Sequence, residues 1–257
     1  MRVSLVSSVD RALSILDAFS VQREEIGLSE LAKIVGLPKA TTYRLAATLE
    51  RHHYLRRDPV STRYRLGLRV VALGGLALSH LGLGDHILPH MQGLAQLCGE
   101  SVILAILDRG EVTYVRRVRS ASPLAMDLPV GLRSPAHATA LGKAMLAYLP
   151  EAEVESIIAS RELVRLTART ITDPVALRAQ LAAIRELGYA VDDGEFGEGV
   201  RCVAAPIFDR RKSVIAGLAV SGPSFRLTDE KLAQARDQLL CTASQVSSML
   251  GYRGDDW

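Results

Sequence analysis

Long apolar runs, clustered cysteines and a strong net charge are all lacking in this 257-residue sequence. The longest uncharged apolar stretch, residues 70–84, is shorter than the ~18 residues that span a bilayer. We therefore expect no membrane-spanning segment. The opening residues, MRVSLVSSVDRAL, contain no long apolar core, so we expect no secretion signal either. These absences favour a cytoplasmic protein.

The three cysteines, Cys98, Cys202 and Cys241, are far apart. Their spacing is neither that of a zinc motif nor that of a disulfide framework. The adjacent pair His52 and His53 would diverge by about 100° on a helix. We predict no metal and no cofactor, and a reducing compartment.

The formal net charge of +3 is unevenly distributed. Residues 1–66 contain 11 Lys or Arg against 7 Asp or Glu, whereas residues 67–257 contain 20 against 21. All of the positive excess therefore lies in the N-terminal quarter. Asymmetry of this kind indicates a module for a polyanion attached to a nearly neutral one.

Residues 27–66 have the pattern of two short helices followed by a basic hairpin. An apolar stripe at helical spacing predicts a first helix, which Ser29 would cap and Gly36 would end. Pro38 suits the first turn of a second helix, expected over residues 39–54. Two helices joined by a short glycine-containing connection are typical of a helix-turn-helix unit.

The second of these helices has two unlike faces. One face is apolar and must be buried, whereas the other alternates small residues with long hydrogen-bond donors. A helix in the major groove of DNA needs this mixture, because small residues let the backbone approach while donors reach bases and phosphates. The predicted contacts are Lys39, Ala40, Thr41, Tyr43, Arg44 and Arg51.

The hairpin is expected to have strands at residues 55–58 and 63–66. Strand alternation turns Arg63 and Arg65 to the side opposite Tyr64, so we predict that both arginines contact DNA. With a first helix that Ser7 would cap, these parts predict a winged helix-turn-helix domain. The alternative is an ordinary helical hairpin with a solvated basic surface.

Residues 68–83 are apolar on nearly every side, and such a helix must be buried all round. We predict that it packs against the same helix of a second subunit; the alternative is burial inside one subunit. The predicted domains are residues 1–67 for DNA binding, 68–84 for the linker and dimerisation helix, and 85–257 for the second domain.

From residue 100 the pattern changes to strands that arrive as hairpins, with helices between groups of them. This order predicts an α+β domain with an antiparallel sheet. Strands are expected at residues 102–107, 112–118, 124–128, 189–192, 203–208 and 214–220, and helices at 139–149, 151–159, 173–187 and 228–250.

Five segments together carry a family resemblance: SVDRALSIL at 8–16, LSELAKIVGLPKATTYRLAATL at 28–49, VGLRSPAHATALGKAMLA at 130–147, DDGEFGEGVRCVAAPI at 192–207 and SGP at 221–223. With these segments in this order, the whole chain resembles the IclR family of bacterial transcriptional regulators. The resemblance implies a winged helix-turn-helix joined by a helix to a GAF-like effector domain. It also implies a dimer or tetramer that binds palindromic double-stranded operator DNA and responds to a small carboxylic or aromatic acid.

The same resemblance implies the residues that line the effector pocket. The N-terminus of a helix that Thr139 caps would attract an anion such as a carboxylate, and a carboxylate and a hydroxyl in the pocket would fix a polar group of the ligand. The implied lining is Met126, Ala140, Leu141, Asp192, Cys202, Ala219 and Ser221.

Two other classes of function compete with a regulator. Cys202, His137 and Asp192 are the residue types of a cysteine-nucleophile hydrolase, although Cys202 is expected in mid-strand rather than at an activating helix N-terminus. The other class is a metabolite sensor that binds RNA or no nucleic acid. We expect a DNA-binding regulator and not an enzyme.

Overall fold

The computed structural model of the protein describes residues 5–20, 22–122 and 128–254. Contacts divide the chain into two compact units, Met1–Gly84 and Asp85–Trp257. Each unit has a hydrophobic core of its own.

In the described part of the first unit there are four helices and a hairpin: α1 (Ser7–Asp17), α2 (Leu28–Ile34), α3 (Lys39–Arg51), β1 (Leu55–Arg57), β2 (Tyr64–Leu66) and α4 (Leu68–His80). Its core joins α1, α2, α3 and the hairpin through buried side chains such as Ile15, Leu31 and Ala46. Helix α3 ends earlier than predicted because His53 adopts a positive φ of 62°, which a continuing helix does not allow.

Neither predicted serine cap forms. The Leu31 amide donates to the Gly27 carbonyl oxygen at 2.8 Å, so α2 begins at Leu28 and Ser29 lies within its first turn. Helix α1 begins at Ser7 itself. A residue inside the helix cannot serve as its N-cap, and both predictions are wrong. The predicted end of α2 is confirmed, because Gly36 has a positive φ of 65°.

The hairpin is fixed to the core by Tyr64, which is buried and exchanges backbone hydrogen bonds with Ile26. At the hairpin turn, Asp58 Oδ1 accepts hydrogen bonds from the amides of Val60 and Ser61 at 3.0 and 2.7 Å. An aspartate that binds amides two and three residues on is a common device for closing a tight turn. The two strands pair antiparallel over three residues each.

Helix α4 has no buried residue. Leu68, Val71 and Leu76 expose 79%, 71% and 56% of their surface. The alternative of a helix buried inside one subunit is therefore wrong. Exposing this much apolar side-chain surface to water is unfavourable, and burying it against a partner would stabilise the helix.

Within the described residues, the second unit contains one six-stranded antiparallel sheet of order β5-β4-β3-β8-β7-β6. The predicted α+β class is confirmed. The strand expected at residues 124–128 falls on residues outside the described part of the chain except for Leu128, which is not in a strand. The strands are β3 (Ser101–Asp108), β4 (Glu111–Val118), β5 (Arg133–Pro135), β6 (Ala190–Asp193), β7 (Val200–Phe208) and β8 (Val214–Pro223).

Among the described residues, the α-helices of the second unit are α5 (Leu88–Cys98), α6 (Ala140–Leu146), α7 (Glu151–Ser160), α8 (Pro174–Leu187) and α9 (Asp229–Met249). Helix α6 packs against β7 and β8, and α9 packs against α5 and β7. Helix α6 lies close to the sheet because Gly217 of β8 has no side chain to separate them. A Cβ on Gly217 would lie 3.0 Å from Leu141 Cδ2 of α6.

Among the described residues, no single helix is both long and apolar enough to cross a bilayer; α4 and α5 would meet that requirement only if taken together.

Candidate functional site

The outer face of α3 is exposed at the positions predicted to contact DNA. Lys39, Ala40, Arg44 and Arg51 are exposed, and Tyr43 exposes 49% of its surface. The opposite face is held in the core by Thr42 and Ala46, both fully buried. Of the predicted set on this helix, Thr41 alone is half-buried.

The two predicted arginines of the hairpin are engaged by acidic groups of their own unit. Arg63 Nη2 donates to the Glu25 carbonyl oxygen at 2.8 Å and to Glu30 Oε2 at 3.0 Å. Arg65 forms an ion pair with Glu25. Both side chains still expose 41% of their surface, so each can turn outward if it leaves its carboxylate.

Sequence reasoning passed over Arg56, which pairs with Arg65 across the hairpin. Arg56 is exposed, and it has no ion pair within the part of the chain that the structure describes. The signal was present in the double arginine at positions 56 and 57, because strand alternation turns one of the pair outward.

In the second unit, three of the predicted effector residues form one row across the sheet. Asp192 in β6 is the register partner of Cys202 in β7, which is the partner of Ser221 in β8. Directly paired residues of neighbouring strands point to the same face. All three are buried, so the structure brings them together on one face of the sheet.

The other predicted effector residues that the structure describes, Ala140, Leu141 and Ala219, lie on the same side. Ala219 is two residues from Ser221 along β8, which returns its side chain to that face, and it belongs to the core cluster that contains Ala140 and Leu141. Thr139 caps α6 as expected, because its Oγ1 accepts from the Gly142 amide at 3.0 Å. Met126 lies outside the described residues.

The row has distinctive electrostatics. Asp192 Oδ1 accepts hydrogen bonds from the amides of Glu195 and Phe196 at 2.6 and 3.3 Å. Burial nonetheless raises the pKa of Asp192 to about 6. Burial also raises the pKa of Tyr114 in β4 to about 12. The site therefore combines one carboxyl that can change its protonation near neutral pH with a neutral phenol.

The same environment does not favour a hydrolase. Burial raises the pKa of the Cys202 thiol, whereas a nucleophilic cysteine needs a lowered one. The Nε2 atom of His137 lies 3.0 Å from the Val164 carbonyl oxygen, and burial lowers the pKa of His137 itself. The described residues contain no group of three His, Cys, Asp or Glu side chains that could hold a metal ion.

Three polar residues beside the row were not identified from the sequence: Tyr114, Lys143 and Glu195, all of them buried. Lys143 is completely buried in α6 and forms an ion pair with Glu195. A usable signal for Lys143 was its position in the segment ALGKAML, because a helix that is apolar on every side buries whatever polar residue it contains.

Comparison with known proteins finds a matching domain family for the N-terminal and for the C-terminal part of the chain. Residues 8–59 match the model of the IclR helix-turn-helix domain, and residues 75–248 match that of the bacterial transcriptional regulator IclR C-terminal domain. The chain is 37% identical to the HTH-type transcriptional regulator KdgR of Escherichia coli over 96% of its own length and 94% of that protein's. Its identity to the E. coli regulator XynR is 35%, over 96% and 98% of the two lengths.

Solved structures include an IclR homolog from Microbacterium hydrocarbonoxydans in complex with 4-hydroxybenzoate. That chain has a TM-score of 0.82 and 27% identity to this one, with 95% of this chain and 99% of that chain covered. The curated relatives are transcriptional regulators and not enzymes. The chain belongs to the IclR family of bacterial transcriptional regulators, with an N-terminal helix-turn-helix and a C-terminal effector-binding domain.

Proposed function

We propose that the protein is a cytoplasmic, ligand-controlled DNA switch whose domains are residues 1–67, 68–84 and 85–257. The first binds operator DNA, the second joins two subunits, and the third binds a small carboxylate or aromatic acid. Two winged helices of a homodimer, or of a tetramer built from such dimers, would each read one half-site of an imperfect palindrome.

The observation that carries DNA binding is the outer face of α3. It exposes two arginines and a lysine beside small residues, the composition that a helix in the major groove requires. The proposed contacts on this face are Lys39, Ala40, Thr41, Tyr43, Arg44 and Arg51, and the hairpin adds Arg63 and Arg65. The two hairpin arginines would exchange their present carboxylate partners for phosphates.

The effector site is proposed at the row of Asp192, Cys202 and Ser221, with Met126, Ala140, Leu141 and Ala219 as further lining. Apolar walls with a few convergent polar groups are the usual composition of a small-molecule site. The class of ligand follows from the family resemblance and from the 4-hydroxybenzoate bound by the Microbacterium relative.

The homodimer is supported by α4. Its leucines and valines are exposed in the single chain, and a second copy of the same helix would cover them. A ligand can shift the arrangement of such a dimer only if it binds one arrangement more tightly than the other.

Arg44→Ala tests the DNA-binding face. If Arg44 reads a base, operator affinity should fall by about 1–3 kcal/mol, measured by fluorescence anisotropy with duplex DNA from the promoter region upstream of the gene. Arg211→Ala is the matched control, since Arg211 is an exposed arginine in the second unit and its loss removes the same charge. Normal operator binding by Arg44→Ala would mean that the recognition face is misassigned.

The effector class is tested by a thermal-shift screen of small carboxylates and aromatic acids, with 4-hydroxybenzoate among them. A ligand that binds only the native state raises the melting temperature. The same acid should change operator affinity. A screen in which no acid shifts the melting temperature would contradict the proposed ligand class.

A further inference from the structure

A fully buried lysine lies directly beside the proposed effector site. Lys143 in α6 is 0% exposed, and its Nζ donates to the Val191 carbonyl oxygen at 3.0 Å and to Glu195 Oε1. Buried charges must be paired, and replacing such a pair by apolar residues is often neutral for stability. Stability alone therefore does not account for a charged pair at this position.

What the pair holds in place is the carboxylate of Asp192. The backbone amide of Glu195 donates to Asp192 Oδ1 at 2.6 Å. Glu195 is fixed on two sides, by the ammonium of Lys143 and by Thr170 Oγ1, which donates to the Glu195 carbonyl oxygen at 2.7 Å. Because Glu195 cannot move independently of Lys143, the orientation of the Asp192 carboxylate depends on the ion pair.

The pair also acts on Asp192 through its charges. Burial is the largest influence on the Asp192 carboxyl and raises its pKa to about 6; the charge of Lys143 lowers that pKa and the charge of Glu195 raises it. The charges of Lys143 and Glu195 therefore shift the pKa of Asp192 in opposite directions.

The other ionisable groups around Asp192 carry no charge or are already compensated. Burial raises the pKa of Cys202 in β7 and of Tyr114 in β4, which keeps both protonated. His137, which faces the ion pair, has its pKa lowered by burial. On the other side of the strands, Asp193 and Arg201 pair with each other at 2.9 Å.

We propose that Lys143 and Glu195 are positioning residues of the effector site: they fix the Asp192 carboxyl and set how readily it takes up a proton when a carboxylate ligand binds. This inference rests on the proposed effector site. An anion beside Asp192 disfavours its ionised form, so binding draws up to one proton from solvent onto the Asp192 carboxylate. Affinity for a carboxylate therefore rises as the pH falls toward 6.

Glu195 carries a further mark of a functional position. Its Oε2 atom is buried and has no hydrogen-bond partner among the residues that the structure describes. A buried acceptor without a donor is costly. This oxygen of Glu195 is therefore still available to a hydrogen-bond donor of a ligand.

The direct test titrates the Asp192 carboxyl by NMR in the ligand-free full chain labelled at the aspartate carboxyl carbon, with Asp192→Asn to assign the signal. Glu195→Gln removes the negative charge and should lower the Asp192 midpoint, whereas Lys143→Met removes the positive charge and should raise it. We expect shifts of about one pH unit. The double variant should return close to the wild-type midpoint.

Controls separate charge from fold. Lys143→Arg keeps the charge and should keep the midpoint, and Glu155→Gln breaks a surface ion pair and should leave Asp192 unchanged. If Lys143→Met does not fold, Glu195→Gln and the double variant still decide, since the double variant leaves neither charge buried alone. Shifts in the same direction for both single variants, or no shift, would overturn the inference.

A second measurement uses 4-hydroxybenzoate and its uncharged analogue 4-hydroxybenzamide in calorimetric titrations between pH 5.5 and 8. Proton uptake should accompany the acid only, and the pH at which its affinity changes should move with the Asp192 midpoint in each variant. Binding of the acid without proton uptake would overturn the inference. If neither compound binds, 4-hydroxybenzoate is excluded as the effector, while the carboxyl titration still decides the role of the ion pair.

Discussion

Two glycines of the second unit illustrate how much a single position constrains this fold. A Cβ on Gly142 in α6 would lie 2.2 Å from the Ala136 carbonyl oxygen, a backbone atom that cannot step aside. A Cβ on Gly93 in α5 would meet nothing within 4 Å. The first glycine lets α6 contact the turn before it, and the second only adds flexibility to a helix.

The same substitution should therefore have opposite effects at the two positions. Gly142→Ala should destabilise the second unit by about 1–3 kcal/mol through overpacking. Gly93→Ala should stabilise it by about 0.5–1 kcal/mol, because alanine is the better helix former. Thermal and urea unfolding of the two variants provide the comparison, and equal effects would argue against the close contact at Gly142.

Single residues also show why the sequence predicted the exposed face of α3 better than the buried polar contacts of the second unit. The exposed face of α3 was predictable because an amphipathic helix assigns each residue to a side by spacing alone. The burial of Lys143 was open to prediction from its apolar helix, but its ion pair with Glu195 was not, because the partner is 52 residues away. Contacts between residues so distant depend on the assembled sheet.

At the scale of elements, α4 differs from the other long helices because it has no buried residue. The predicted bounds of most elements differ from the observed ones by a few residues, since periodicity locates a helix or strand better than it locates the ends. The caps show the limit: Thr139 and Thr228 cap α6 and α9, whereas Ser7 and Ser29 cap nothing. Where a serine sits within one residue of a helix start, sequence alone does not say on which side it falls.

Leu76→Asp tests the role of α4. A carboxylate buried between two copies of the helix is strongly unfavourable, so the variant should be monomeric in sedimentation equilibrium at concentrations where we expect the wild type to be dimeric. Leu187→Asp is the matched control, because Leu187 in α8 is 57% exposed and Leu76 is 56% exposed. A dimeric Leu76→Asp variant would exclude α4 as the interface.

At the scale of the whole molecule, the two units have separate cores and separate chemistry. The basic excess lies in the first unit, and the buried row of Asp192, Cys202 and Ser221 lies in the second. If the two binding sites lie in separate units, as proposed, a substitution should be able to remove effector binding without removing DNA binding. The family and its fold were accessible from five sequence segments, whereas the identity of the effector was not, because buried polar groups define a class of ligand and not one compound.

Ala140→Leu tests this separation. The larger side chain would compete with the ligand at the proposed site beside the start of α6, so affinity for the effector should fall about tenfold or more, which is about 1.4 kcal/mol, while operator affinity in the absence of effector stays unchanged. Ala159→Leu on the exposed side of α7 is the control. A full effector response in Ala140→Leu would remove Ala140 from the pocket.

The acidic partners of the hairpin arginines have a consequence for how the protein responds to ionic conditions. Arg63 and Arg65 already have carboxylates as partners in the free chain, so moving them to phosphates exchanges one anion for another. Each would then gain less from the release of counterions condensed on the duplex than an unpaired arginine does. The affinity for DNA should be weaker than the count of basic residues suggests, and it should also decline less steeply as the concentration of potassium salt rises.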